Sequence, residues 1–369
     1  MNYFDKYYSN TLGAAANQSV FTMNEGEERT SRAFFKIFAG GEYEYSLLFS
    51  DTIDSTFADG SVSRANDTLG DWEIISGSVY SCPEFPECRT PADVDISTLK
   101  IKKLCELSFD KAAGHRVSAG EVFSSDPVRL SFEKGEYAVI KLTYTGRRLP
   151  YHPESMLPIY ENVGGVWRYS LEMPLPVSIG CDRRIGGRIA YLGDSITQGI
   201  GAGYNTYRHW CAILSDMLGE GYGYYNLGIG YARAADAASD GAWLERAKNS
   251  DVCFVCLGTN DVTRDQPSTE KVARNLTTVV DALLEAGVRV ILQTAPPFDR
   301  TGEARRIWFE LNDYVREVLS ERVELLFDNV PYLRLSEEEP DRAKFGGHPS
   351  ALGCEIWAKA LYESVKDIL

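Results

Sequence analysis

From about residue 184 the chain changes rhythm. The apolar runs RIAYLG, YYNLG, VCFVCLG, VRVILQTAP and VELLFD alternate with stretches of helical period. Runs that are apolar on both sides of the strand alternation suit strands covered on two faces, with the intervening segments serving as helical crossovers. In TEKVARNLTTVVDALLEAG, residues Val272, Leu276, Val279, Val280, Leu283 and Leu284 follow the 3.6-residue period, and Gly287 supplies a stop. Five buried strands with helices between them predict a parallel, doubly wound α/β sheet. Such sheets hold their sites at the carboxyl ends of the strands.

Before that point the pattern is different. FFKIFAGG, YEYSLLFS, DWEIISGSVYS and VRLSFEKGEYAVIKLTYTG are β-type runs broken by Gly, Asp, Asn and Pro, and YAVIKLTY alternates with period two. This reads as an antiparallel sandwich, jelly-roll-like in its run of short strands. At 369 residues the chain exceeds one ordinary core. The division expected is a β-sandwich domain over 1–183 and an α/β domain over 184–369.

Charge narrows the partners. A net charge of −15 with no cluster of Lys and Arg argues against a nucleic-acid surface or an anionic membrane. A small-molecule or oligosaccharide substrate suits such a chain; its oligomeric state is not set by the sequence. The opening MNYFDKYYSNTLGAAANQ lacks a basic stretch followed by an apolar one, and no run of about 18 apolar residues is present, so a cytoplasmic location is expected. The eight cysteines are read as free thiols. Cys253 and Cys256 stand inside a buried strand pattern, and Cys82 and Cys88 in a Pro-rich loop are read as unpaired. With four histidines and no H-x-x-x-H, neither a metal nor a cofactor is expected.

Three strand ends carry chemistry. The first closes in Gly193-Asp194-Ser195, the second in Asn226-Leu227-Gly228, the third in Gly258-Thr259-Asn260-Asp261. Each alone reads as a turn, since Gly, Asp, Asn and Ser favour turns for local reasons. Together at one crevice they offer a hydroxyl nucleophile, Ser195, and three donors for an oxyanion: the Ser195 and Gly228 N–H groups and the Asn260 amide. That set suits acyl transfer. Asp194 is expected to organise the turn beneath Ser195, and Asp261 to do the same for Asn260. The glycine-rich TQGIGAGYN lacks the Lys and Ser/Thr of a phosphate loop and is expected to leave the cleft open.

With YLGDSIT, NLG, LGTND and a late HPSALG in order across residues 188–360, the chain resembles an SGNH hydrolase of the GDSL esterase superfamily. The resemblance implies Ser195 as nucleophile, Gly228 and Asn260 as oxyanion donors and His348 as base. Thr197 stands where G-x-S-x-G has its final glycine, so the lipase elbow of the α/β-hydrolases is not matched.

One position departs from the family. Where it writes D-x-x-H, this chain has Phe345-Gly346-Gly347-His348. Three arrangements remain open: a neutral acceptor holds the ring and the pair works as a Ser-His dyad; Asp341, or one of Glu337, Glu338 and Glu339, folds back onto it; or His348 only packs. His209 is expected at the surface or in packing, and nothing marks His115 or His152 as ligands.

A sandwich ahead of an SGNH domain resembles the architecture of family-two carbohydrate esterases and related bacterial acetylesterases. The expectation is a serine esterase releasing short acyl groups, acetyl first, from carbohydrates. The alternatives are a lipase, lysophospholipase or thioesterase of the same superfamily, or an inactive carbohydrate-binding protein. The aromatics of LPYHPESMLPIYENVGGVW are candidates for stacking on sugars where the halves meet, with core packing the stronger expectation.

Overall fold

The computed structural model describes residues 2–14, 16–54, 64–264 and 268–369, with the side chains of residues 263 and 264 left aside. In its second half every strand of a five-stranded parallel sheet is covered on both sides. Along the first of these, Gly187–Gly193, Ala190 and Leu192 enter one apolar cluster while Ile189 and Tyr191 enter the other. The third, Val252–Cys256, repeats the pattern, which puts Cys253 and Cys256 on opposite faces as free thiols.

The second strand, Tyr222–Gly228, lies on one side of the first, and the third lies on the other, followed by Arg289–Gln293 and Leu325–Phe327. The order therefore reverses at the first strand, and a crevice opens at its carboxyl end. The periodic segment forms the helix Thr269–Glu285, whose Val272, Leu276, Val279, Val280 and Leu283 are buried. Gly287 follows it with φ of 81°, a value that favours glycine.

Among the described residues the first half holds two antiparallel sheets of five and seven strands and a two-stranded ribbon. Ala33 and Phe35 on Glu28–Lys36 of the larger sheet share one core with Leu47 and Phe49 on Gly41–Ser50 of the smaller. That is the inner layer of a sandwich.

The halves interlock. Phe4 and Ala16 pack into a cluster of the parallel sheet, Ala14 bridges to Asn226, and the Tyr225 hydroxyl donates to the Tyr7 carbonyl. A buried ion pair joins Asp54 to Arg246 at 2.6 Å. Among the described residues no helix is long and apolar enough to cross a membrane.

Candidate active site

The first strand delivers Ser195 directly. Asp194 caps the one-turn helix Ser195–Gln198, its Oδ1 accepting the Ile196 N–H at 2.9 Å, which aims the serine out of the sheet end. Burial pushes the Asp194 carboxyl up to about 7, against the Ile196 amide and the nearby Arg300, which favour its charged form. The second strand closes against this turn: a Cβ on Gly228 would stand 2.1 Å from the Gln198 nitrogen, so only glycine fits.

From 153 residues further along, His348 returns to the serine. Its Nε2 lies 2.8 Å from Ser195 Oγ, at the start of the loop before the helix Ala351–Val365. Both residues are half-buried. Burial holds the imidazole below its ordinary value, favouring the neutral ring that can accept a proton. Phe298, on the loop after the fourth strand, meets the ring edge to face at 5.4 Å.

No carboxylate among the described hydrogen bonds backs His348. Phe345, where the family has its aspartate, turns into the apolar cluster under the last helix, its Cβ 2.7 Å from where a Cβ on Gly353 would lie. Asp341 is drawn elsewhere: Arg305 grips both of its oxygens, Nε at 2.7 Å and Nη2 at 2.9 Å. Burial would raise the Asp341 carboxyl, but the guanidinium prevails and holds it below the usual range. The expectation that Asp341 orients His348 is therefore corrected. Glu337, Glu338 and Glu339 are exposed.

The oxyanion donors differ from expectation too. The Gly228 N–H already donates to Asn226 Oδ1 at 3.0 Å, because that buried amide folds back over its own strand end. Asn260 sends one amide hydrogen to the Ala232 carbonyl at 3.0 Å, which leaves its second. The Ser195 N–H stands in the first turn of its helix, where amides lack an intrahelical acceptor. Asp261 holds the amide that joins it to Asn260, its own N–H, and reaches across to the exit of the second strand as well. Its carboxylate accepts the Ala234 and Ala235 amides at 2.8 and 3.4 Å, and burial raises it to about 6.

The first half supplies a wall that no motif announced. The segment after the strand Arg148–Tyr151 lays Glu154 over Gly230, two residues past Gly228; a Cβ there would meet Glu154 Oε2 at 1.7 Å. Gln18 donates to both, reaching Glu154 Oε2 at 3.1 Å and the Gly230 carbonyl at 3.0 Å. Gln198 reaches from the nucleophile helix to the Glu154 carbonyl. The aromatics of this segment pack instead: Tyr160 is buried against Phe34, and Trp167 covers Arg32.

The glycine-rich loop is tied down at one point. Asn205 donates from its backbone to the Met156 carbonyl at 3.1 Å and from its side chain to the Tyr137 hydroxyl at 2.9 Å, which ties the loop to the first half. His209 is buried, 3.3 Å from Asn226 Nδ2, and burial lowers it to about 4; of surface and packing, it packs. His152 is buried as well, and His115 pairs with Glu121. Among the described residues no cluster of three or more metal-ligating side chains occurs.

Several solved structures overlap this fold loosely. A family two carbohydrate esterase from Clostridium thermocellum covers 98% of this chain and 97% of its own, at 12% identity and a TM-score of 0.40. An acetylxylan esterase from Geobacillus stearothermophilus covers 50% and 95%, at 20% identity and 0.38. A psychrotrophic esterase from Pseudoalteromonas sp. covers 49% and 97%, at 17% identity and 0.39. At such values these likenesses carry no argument about chemistry. No curated protein matches the chain. The family model of the GDSL-like Lipase/Acylhydrolase family matches residues 191–356, the stretch that runs from the first parallel strand through His348. Residues 191–356 are accordingly similar throughout to a GDSL-like lipase/acylhydrolase domain.

Proposed function

We propose that the chain is a serine esterase acting on short acyl esters, acetyl before longer chains, of hydroxyl-rich alcohols such as sugars. The observation that carries the reading is the 2.8 Å approach of Ser195 Oγ to His348 Nε2 at the strand-end crevice. His348 takes the serine proton, Ser195 attacks the ester carbonyl, and the oxyanion forms against the Ser195 N–H and the remaining Asn260 amide hydrogen. The Gly228 N–H joins them only by turning from Asn226. His348 then protonates the departing alcohol and activates the water that releases the acid.

Support for a polar alcohol comes from the first half. Glu154, half-buried and held by Gln18, sets a carboxylate beside Gly230, two residues past Gly228, where a sugar can offer hydroxyls. An apolar lipid tail gains nothing from that wall.

The test is hydrolysis of p-nitrophenyl acetate, butyrate and octanoate alongside acetylated sugars. Acetate should be cleaved best, with Ser195→Ala and His348→Ala each losing on the order of 10⁶ in kcat without loss of fold. Wild type and Ser195→Ala equally inert on every ester would overturn the reading in favour of a binding protein.

A further inference from the structure

We infer that Phe298 is the positioning residue of His348, fixing by ring contact the orientation of an imidazole that has no carboxylate three residues upstream. The inference rests on the esterase reading for its kinetic consequence and on geometry for its content. The ring stands 5.4 Å from the imidazole at an interplanar angle of 77°. It also fixes the residue before the histidine: a Cβ on Gly347 would come within 2.9 Å of two Phe298 ring carbons, so the GGH sequence lets the ring close on this loop. Phe298 thus limits both the backbone that carries His348 and the plane in which its imidazole lies.

Phe298 is itself held. The buried guanidinium of Arg300 lies over its ring at 5.2 Å and donates to the Thr259 carbonyl at 3.2 Å and the Pro296 carbonyl at 3.5 Å. Thr259 precedes the oxyanion amide, and Pro296 belongs to the same loop as Phe298. One cation therefore pins the ring to the strand ends that form the crevice.

The experiment compares Phe298→Leu, which keeps bulk and loses the ring, with Phe298→Tyr, which keeps it. Each is assayed for kcat and KM on p-nitrophenyl acetate, for Tm, and by NMR for the ring mobility of His348 without substrate. Phe298→Leu should lose about 10²-fold in kcat with KM and Tm held, as expected for a misplaced base. Its imidazole should pass from one ring orientation to exchange among several, and Phe298→Tyr should restore both readouts. Wild-type kcat in Phe298→Leu, or equal losses in both variants, would overturn the inference. Should the wild type cleave no ester, the esterase reading falls by itself, and an imidazole as rigid in Phe298→Leu as in the wild type would overturn the positioning role.

Discussion

The two walls of the crevice are built on opposite plans. On the α/β side Ser195, Gly228 and Asn260 stand at or just past the ends of strands buried on both faces, and His348 comes to them on the loop before the last helix, so the sheet sets three of the four positions. On the sandwich side the groups are loop residues whose positions depend on bonds across the junction: Gln18 to Gly230, Gln198 to Glu154, Asn205 to Met156. The first plan confines chemistry to short local motifs. The second lets a distant segment shape the site while leaving no local sign of itself.

If the walls form one unit, breaking the junction should damage both. Arg246 and Asp54 are 6% and 2% exposed, and Asp54 also accepts the Asn17 N–H at 2.6 Å. Arg246→Met leaves that carboxylate buried without its cation, a change of about 3–5 kcal/mol. Urea unfolding should show the loss in the transition of the whole chain. Two separate transitions, with the α/β half at wild-type stability, would mean that the sandwich is an appendage.

A smaller and more selective effect is expected at the wall itself. Glu154→Gln keeps shape and removes charge. Hydrogen bonds to a charged group contribute about 1.5–3 kcal/mol, so kcat/KM on an acetylated sugar should fall by about 10- to 100-fold. Turnover of p-nitrophenyl acetate, which has no hydroxyls to present, should stay within about twofold. Equal losses on both substrates would assign Glu154 to holding Gly230 rather than to reading the alcohol.

The contrast also explains what the sequence could tell. The doubly wound sheet was legible because its strands are apolar on both faces and its longest helix keeps a strict period. Ser195 and His348 were legible because a strand end and a motif mark them. Gly228 stands at the end of its strand, yet its N–H is engaged by Asn226, since a side chain two residues away can claim an amide and no motif records which atom wins. Asp341 misled for a related reason: proximity in sequence suggested His348, but Arg305, from a helix 36 residues earlier, offers a two-pronged partner. Phe298, Gln18 and Glu154 had no local signal at all. Their roles exist only once strands far apart in the chain are brought together.

The pH profile tests the α/β wall alone. Burial lowers the His348 pKa, and no described carboxylate counters it. The charged ring is inactive as a base, so kcat/KM should rise with pH through one ionisation whose midpoint lies below the ordinary value of about 6.5. A carboxylate facing the ring would shift that limb upward. A midpoint above 6.5 would therefore show that an acid does reach His348 in the working enzyme.

The least effect is expected at Asp341, and it separates the two accounts of the histidine most cleanly. Its carboxylate is buried at 3% exposure while the Arg305 side chain is 47% exposed, so the pair is partly screened. Asp341→Asn keeps an oxygen acceptor and removes the charge that Arg305 faces, a change of about 1 kcal/mol or less in stability. Since neither oxygen is directed at His348, kcat should stay within about twofold and the acid limb of the pH profile should not move. Loss of an acid that orients a serine hydrolase histidine costs about 10⁴-fold. A fall of that size in Asp341→Asn, with Tm unchanged, would place the carboxylate behind the imidazole and return Phe298 to a packing role; a flat response leaves the ring contact as the support that the loop provides.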